Sequence, residues 1–283
     1  MMPAWSRSGR VIVGGTLLLA IAAAALLAPV VAPHDPGEQD LLSVLLPPCW
    51  MPSGDRAYLL GTDSLGRDNL SRLLFGARTA LEVAVCAAAG AALLGTVLAH
   101  VAGYLGGAAD WVICRAVDVW MSFPPVVLSL ILMVGLGGGV DKVILAIILV
   151  DWTRFCRVLR ADVVITTRRD YVTAARLAGT SHWHTVTREV LPATLPLVIT
   201  LASLEMGIAV VVEAVLSFVG LGVGATQPAW GQMIADARQN VSTAPIGLLL
   251  PMTAIFVTVA AFNLLGDGLR RSLDLRETQA RTA

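Results

Sequence analysis

Few residues in this chain are placed to do chemistry. Of its 20 basic residues nineteen are arginine, and the single lysine is Lys142, between Asp141 and Val143. A nucleotide-binding P-loop needs Gly-Lys-Ser/Thr so that the lysine can reach the phosphates. Lys142 fails on both sides, so ATP is not hydrolysed here by that route. The cysteines Cys49, Cys86, Cys114 and Cys156 form no CxxC pair, and three of them lie in or beside apolar stretches. They read as small buried hydrophobes, with neither a disulfide framework nor a zinc site indicated. No Ser/His/Asp, HExxH or paired-carboxylate constellation stands at usable spacing, which argues against an enzyme. The acids are more suggestive. Glu82, Asp118, Asp151, Glu205 and Glu213 fall in or near long apolar runs, where an ionisable group is costly and usually functional. Glu82 and Asp118 read as interfacial, and Asp151 has Arg154 and Arg157 within reach. Glu205 and Glu213 are the deepest. Eight residues apart, they sit about 80° apart around a helix. Either they line a cavity and meet a cationic group of a substrate, with Met206 beside them, or they pair with a second subunit. Met121, Met133, Met206 and His100 invite a soft-metal reading, but methionine is also a routine gap-filler; no resident metal site is assigned.

The elements holding these residues follow from composition. Hydrophobic residues make up 56% of the chain and charged residues 14%, against roughly 25% charged in an average soluble domain. Mean hydropathy is +0.75. With 20 basic and 20 acidic residues, nothing attracts nucleic acid. A bilayer core takes about 20 apolar residues in a helix. Val11–Val31, Ala80–Gly103, Val119–Val140, Leu191–Val223 and Val241–Gly266 meet that length, the third interrupted by Pro124-Pro125. A weaker span is expected over Lys142–Leu159. Six spans leave 14 of the 20 basic residues on one side, beginning with Arg7 and Arg10. The positive-inside rule then puts both termini in the cytoplasm. The division is a tail and first span over 1–33, an outer loop over 34–79, a five-helix core over 80–268 that includes an inner loop at 160–192, and a cytoplasmic tail over 269–283.

The inner loop reads Arg-Asp-Tyr-Val-Thr-Ala-Ala-Arg-Leu-Ala-Gly-Thr-Ser-His-Trp-His-Thr-Val-Thr-Arg-Glu-Val-Leu-Pro over residues 169–192. It predicts two short helices joined at Gly179, where glycine supplies the turn. Ser181 caps the second helix, and Pro192 stops it and begins the next. Ala174, Ala175 and Ala178 form a small-residue face suited to a partner's groove. His182 and His184, two apart, point in different directions and read as contact residues. The stretch resembles the EAA coupling loop of ABC importer permeases, Glu-Ala-Ala-x3-Gly-x9-Ile-x-Leu-Pro. Ala174, Ala175, Gly179, Leu191 and Pro192 match in register, while Thr173 replaces the Glu and Glu189 the Ile. Residues 61–78, 216–222, 228–231 and 262–270 are similar in order and spacing to the C-type permease of the dipeptide/oligopeptide/nickel family, and the likeness covers about residues 10–275.

That resemblance implies an all-α integral membrane protein of six transmembrane helices with the type I ABC importer permease fold, in the cytoplasmic (inner) membrane of a bacterium. It implies a heterodimer with a homologous sister permease, two cytoplasmic ABC ATPases that carry ATP and magnesium, an extracytoplasmic solute-binding protein, and no cofactor on this chain. The expected function is alternating-access import of short peptides; nickel or a metal chelate is the second expectation. A stand-alone channel or secondary transporter is disfavoured by the coupling-loop spacing. In the outer segment, Asp63, Arg67, Asp68, Arg72 and Arg78 either brace the loop internally or touch the binding protein or sister permease.

Overall fold

Apolar runs near the length of a bilayer dominate the sequence, and in the computed structural model they form helices that pack side by side. Residues 9–224 and 227–282 are described, those after Arg271 by backbone alone. Arg7 lies outside them, as do the side chains of Arg276 and Arg281. Apart from one antiparallel bridge, Thr62 to Asp68, the regular structure among the described residues is helical. The helices are α1 (Gly9–Val31), α2 (Asn69–His100), α3 (Gly107–Met121), α4 (Pro125–Leu136), α5 (Val140–Thr166), α6 (Asp170–Leu177), α7 (His182–Thr185), α8 (Leu191–Phe218), α9 (Trp230–Ala237) and α10 (Pro245–Thr282). A π-helical turn, Val101–Leu105, extends α2, and another, Val186–Val190, joins α7 to α8.

Four helical stretches are long and apolar enough to cross a membrane: Gly9–Val31, Asn69–Leu105, His182–Phe218 and Pro245–Arg271. The third expected span is not one helix over Val119–Val140. The chain bends by 89° at Ser122–Pro124, so that α3 and α4 form a bent pair, the geometry of a broken span or a re-entrant loop. Proline at the start of α4 has no N–H to continue α3. The weak fourth span is real as a helix but longer than Lys142–Leu159. It is α5, 27 residues long and too rich in charge to qualify as apolar enough to cross, so the described residues hold four such helices, or five with the bent pair. Its C-terminal end takes over residues 160–166 of the expected inner loop. Likewise α2 begins eleven residues before Ala80, and residues 269–282 continue α10.

The packing suits a lipid solvent, where helices associate through close approach of small residues. The buried face of α2 carries Ala80, Ala84, Ala87, Ala88 and Ala91, and α2 lies most extensively on α5. At Gly95 a Cβ would come within 2.6 Å of the Trp152 carbonyl oxygen, so glycine is what lets the two backbones touch. One core joins α2, α4, α5 and α8 through Val83, Met133, Ile147 and Leu216; another joins α1, α2, α8, α9 and α10 through Ala25, Ala84, Val210, Trp230 and Phe262.

Candidate functional site: a helical hairpin and the charge clusters behind it

The hairpin forms for local reasons. Gly179 sits at φ +84°, a left-handed conformation that glycine adopts without cost. The Thr180 N–H and hydroxyl both donate to the Ala175 carbonyl, at 3.2 and 2.8 Å, closing the end of α6. The Ser181 hydroxyl accepts from the His184 N–H at 3.3 Å and caps α7, as expected. Pro192 does not stop the second helix. The π turn before it lets the Leu191 N–H bond to the Val186 carbonyl, so the helical path absorbs a residue without an N–H and runs on to Phe218. Thr173, Ala174, Ala178 and Gly179 are exposed, Ala175 and Leu191 half-buried and Pro192 exposed. Leu177 is 84% exposed and Trp183 78%. Two large apolar side chains thus stand free on a surface of small residues, the combination that fits a partner's groove.

The hairpin is tied to the helix ends above it. Val163 of α5, Val172 of α6 and Val190 of the second π turn form a small core with Tyr104 against it. The Tyr104 hydroxyl lies 3.0 Å from His182 Nδ1, and the Arg176 guanidinium sits 4.6 Å from the centre of its ring. Higher up, charges join the helices. Arg160 of α5 holds Asp110 of α3 with both ends of its guanidinium, and Arg157 reaches Asp118. Arg154 donates to Glu205 of α8 at 3.1 Å and forms an ion pair with Asp151 at 3.6 Å. Of the two partners expected for Asp151, Arg154 is the one it takes.

Glu205 and Glu213, expected to line the pathway or pair with a second subunit, are 2% and 1% exposed and bonded within the chain. Glu205 faces Arg154, and Glu213 accepts from the Ser217 hydroxyl at 2.6 Å. Met206 is half-buried against the core around Ala25, Trp230 and Phe262. The methionines do not converge: Met133 is fully buried in one core and Met121 is exposed. His100 is engaged by the Thr194 hydroxyl and the Thr96 carbonyl.

On the opposite face, the segment 61–72 is braced internally and also anchored from afar. Asp63 accepts from Arg67 Nε at 2.7 Å and from Arg72. Arg67 and Arg72 both continue to Asp236 of α9, at 2.8 and 3.3 Å. Two arginines and two aspartates balance, which is what nearly buried guanidinium groups require. Asp68 instead caps α2, accepting from the Leu70 and Ser71 N–H groups. Arg78 is exposed, and Gly76 is a packing point rather than a turn: a Cβ there would come within 2.7 Å of Trp230, whose indole N–H donates to the Leu73 carbonyl at 3.0 Å. Farther out, the Ser43 hydroxyl, with the Leu42 N–H, holds the Asp40 carboxyl below the usual carboxylate range. Asp236 is the participant that sequence reasoning passed over. A partner 164 residues away leaves no spacing to read.

These features describe a multi-pass membrane permease: a bundle of apolar helices with no P-loop motif in its sequence and an exposed helical hairpin at one end. A family model for the binding-protein-dependent transport system inner membrane component matches residues 91–279, and one for the N-terminal transmembrane domain of oligopeptide transport permease C matches residues 6–48. The chain belongs to the binding-protein-dependent transport permeases. It is 40% identical over 262 residues to a di/tripeptide transport system permease protein of Pseudomonas aeruginosa, covering 92% of this chain and 86% of that one. It is 39% identical over 242 residues to the nickel transport system permease protein of Escherichia coli, covering 86% and 85%. To a glutathione transport system permease protein of Pectobacterium atrosepticum it is 37% identical over 218 residues, covering 77% and 72%.

Proposed function

We propose that this chain is one of two homologous permease subunits that together form a pathway for short peptides across the cytoplasmic membrane. A solute-binding protein delivers cargo at the face carrying Asp63, Arg67 and Asp68. Two ABC ATPases bind ATP and magnesium at the other face and drive the transport cycle. Both termini are cytoplasmic. The hairpin is the coupling element: Thr173, Ala174, Ala175 and Gly179 shape a small surface from which Leu177 and Trp183 project into an ATPase cleft, and Leu191 and Pro192 lead into α8. The observation that carries this reading is the exposed hairpin itself, at the EAA register, on a chain that belongs to the permease family and has no P-loop. Peptide cargo is favoured by the di/tripeptide relative, the most similar of the three described above. Nickel or a metal chelate is the second reading, supported by the 39% identical nickel permease; such cargo would be in transit, since among the described residues no three His, Cys, Asp or Glu side chains gather to hold an ion.

The test uses the assembled transporter in membrane vesicles with labelled dialanine, and 63Ni2+ in parallel. Uptake stops when the partner ATPases carry an inactivated P-loop lysine; uptake that persists overturns the importer reading. Gly179→Val puts a β-branched residue at positive φ, a strain of about 1–3 kcal/mol. It lowers uptake at least tenfold while the chain still inserts and assembles. Native uptake by this variant removes the coupling role.

A further inference from the structure

Among the described residues, Tyr104 is where the elements beneath the bundle meet. It sits in the π-helical turn Val101–Leu105 at the inner end of α2. Its hydroxyl lies 3.0 Å from His182 Nδ1 of α7, and its ring receives the Arg176 guanidinium of α6 at 4.6 Å. Its body packs on Val163 of α5, Val172 of α6 and Val190 of the second π turn. The helix end that carries it is held tightly from the other side. A Cβ at Gly103 would come within 2.8 Å of Val163 and 3.1 Å of the Arg160 carbonyl oxygen, so the α2 backbone lies directly against α5. Beyond Leu105 the chain turns at Gly106 and Gly107, both at positive φ, and α3 leads away.

The π turn is what aims the ring. One extra residue in a turn rotates the downstream residues by about 100° relative to a regular helix, and the residue so displaced is an aromatic ring with a polar tip. The second π turn, Val186–Val190, stands against it on the hairpin side. Two widened helical turns facing one another are compliant elements placed where a movement would have to pass. The hairpin's other direct attachments are the covalent link to α5 through residues 167–169 and the helical continuation into α8. Neither reaches α2.

We propose that Tyr104 is a positioning residue that hands the movement of the hairpin to α2, and through the α2–α5 contact to the outer half of the bundle. In this scheme His182 and Arg176 grip the ring from two sides, so that α6 and α7 cannot shift without carrying the end of α2 with them. The inference rests on the coupling role given to the hairpin under Proposed function and names a route from it.

The experiment is hydrogen exchange on the complete transporter, chain, sister permease, ATPases and binding protein together, with and without magnesium-ATP and vanadate, which requires no knowledge of the cargo. In the native complex, nucleotide changes exchange both in residues 170–177 and in residues 93–105. In Tyr104→Ala the response at 170–177 persists, and the response at 93–105 falls at least threefold. Tyr104→Phe keeps the ring beneath Arg176 and retains most of the α2 response. Arg176→Ala added to Tyr104→Ala causes no further loss. A full α2 response in Tyr104→Ala overturns the link while leaving the coupling hairpin intact. Absence of any response at 170–177 in the native complex overturns the coupling role itself, and the link with it. Loss of the ATPases from purified Tyr104→Ala overturns the proposal as well, since it makes the residue a support for docking; co-purification at native stoichiometry is the expected result.

Discussion

The deepest acids illustrate how a single partner changes the meaning of a residue. Glu205 reads from sequence as an isolated carboxylate in an apolar helix, and an uncompensated charge at that depth demands a function. Arg154, 51 residues earlier, supplies the compensation. Asp151 lies on the same guanidinium, so one arginine faces two carboxyl groups. Glu205 Oε1 has no hydrogen-bond partner. Removing one member of a buried ion pair leaves the others stranded, typically at a cost of several kcal/mol. Because the Arg154 side chain is 38% exposed, the lower end of that range applies. Arg154→Met therefore destabilises the chain by about 3 kcal/mol in detergent, read as a lowered unfolding midpoint. Glu205→Gln in the same chain restores at least half, because an amide needs no counter-ion. An unchanged midpoint in the single variant would show that the guanidinium does not hold these acids.

At the scale of elements, local signals were readable and distant ones were not. The hairpin was legible because its determinants lie within a few residues: Gly179 for the turn, Ser181 for the cap, and the small residues between. Pro124-Pro125 announced a break but not its 89° angle, which depends on what α3 and α4 pack against. The π turns left no sequence mark, and so Pro192 read as a stop. The anchoring of α9 was hidden for the same reason: Trp230 meets Gly76, and Asp236 meets Arg67 and Arg72, across more than 150 residues of chain. This short helix is seated so closely that a Cβ at Gly231 would collide with the Ala214 backbone of α8. Gly231→Leu pushes α9 away at a cost of about 1–3 kcal/mol and strains the charge cluster with it. Arg238, exposed just past the helix, then becomes a faster site of tryptic cleavage. Cleavage at the native rate would mean that α9 tolerates the displacement.

The whole molecule has two chemically distinct ends. One gathers Tyr104, Val163, Val172 and Val190 under the hairpin. The other gathers the start of α2, α9, and the α4–α5 turn, where the Gly139 N–H donates to the Gly222 carbonyl at 3.1 Å. The distribution of arginine is the argument for which end faces the cytoplasm. Flanking basic residues are retained on the cytoplasmic side because moving them across the bilayer is unfavourable. The loop 160–192 carries Arg160, Arg168, Arg169, Arg176 and Arg188, the outer loop 34–79 carries Arg56, Arg67, Arg72 and Arg78, and over the whole chain the six-span count leaves 14 of the 20 basic residues on the hairpin's side. The proposed coupling function requires a cytoplasmic hairpin, since the nucleotide that would drive transport is on that side. With the four native cysteines changed to alanine, Arg56→Cys reacts with a membrane-impermeant maleimide in intact spheroplasts. Arg168→Cys, exposed at the foot of α5, reacts only after the membrane is opened. The reverse pattern would invert the molecule, put the hairpin out of reach of any ATPase, and leave the charge cluster around Asp63 facing the cytoplasm.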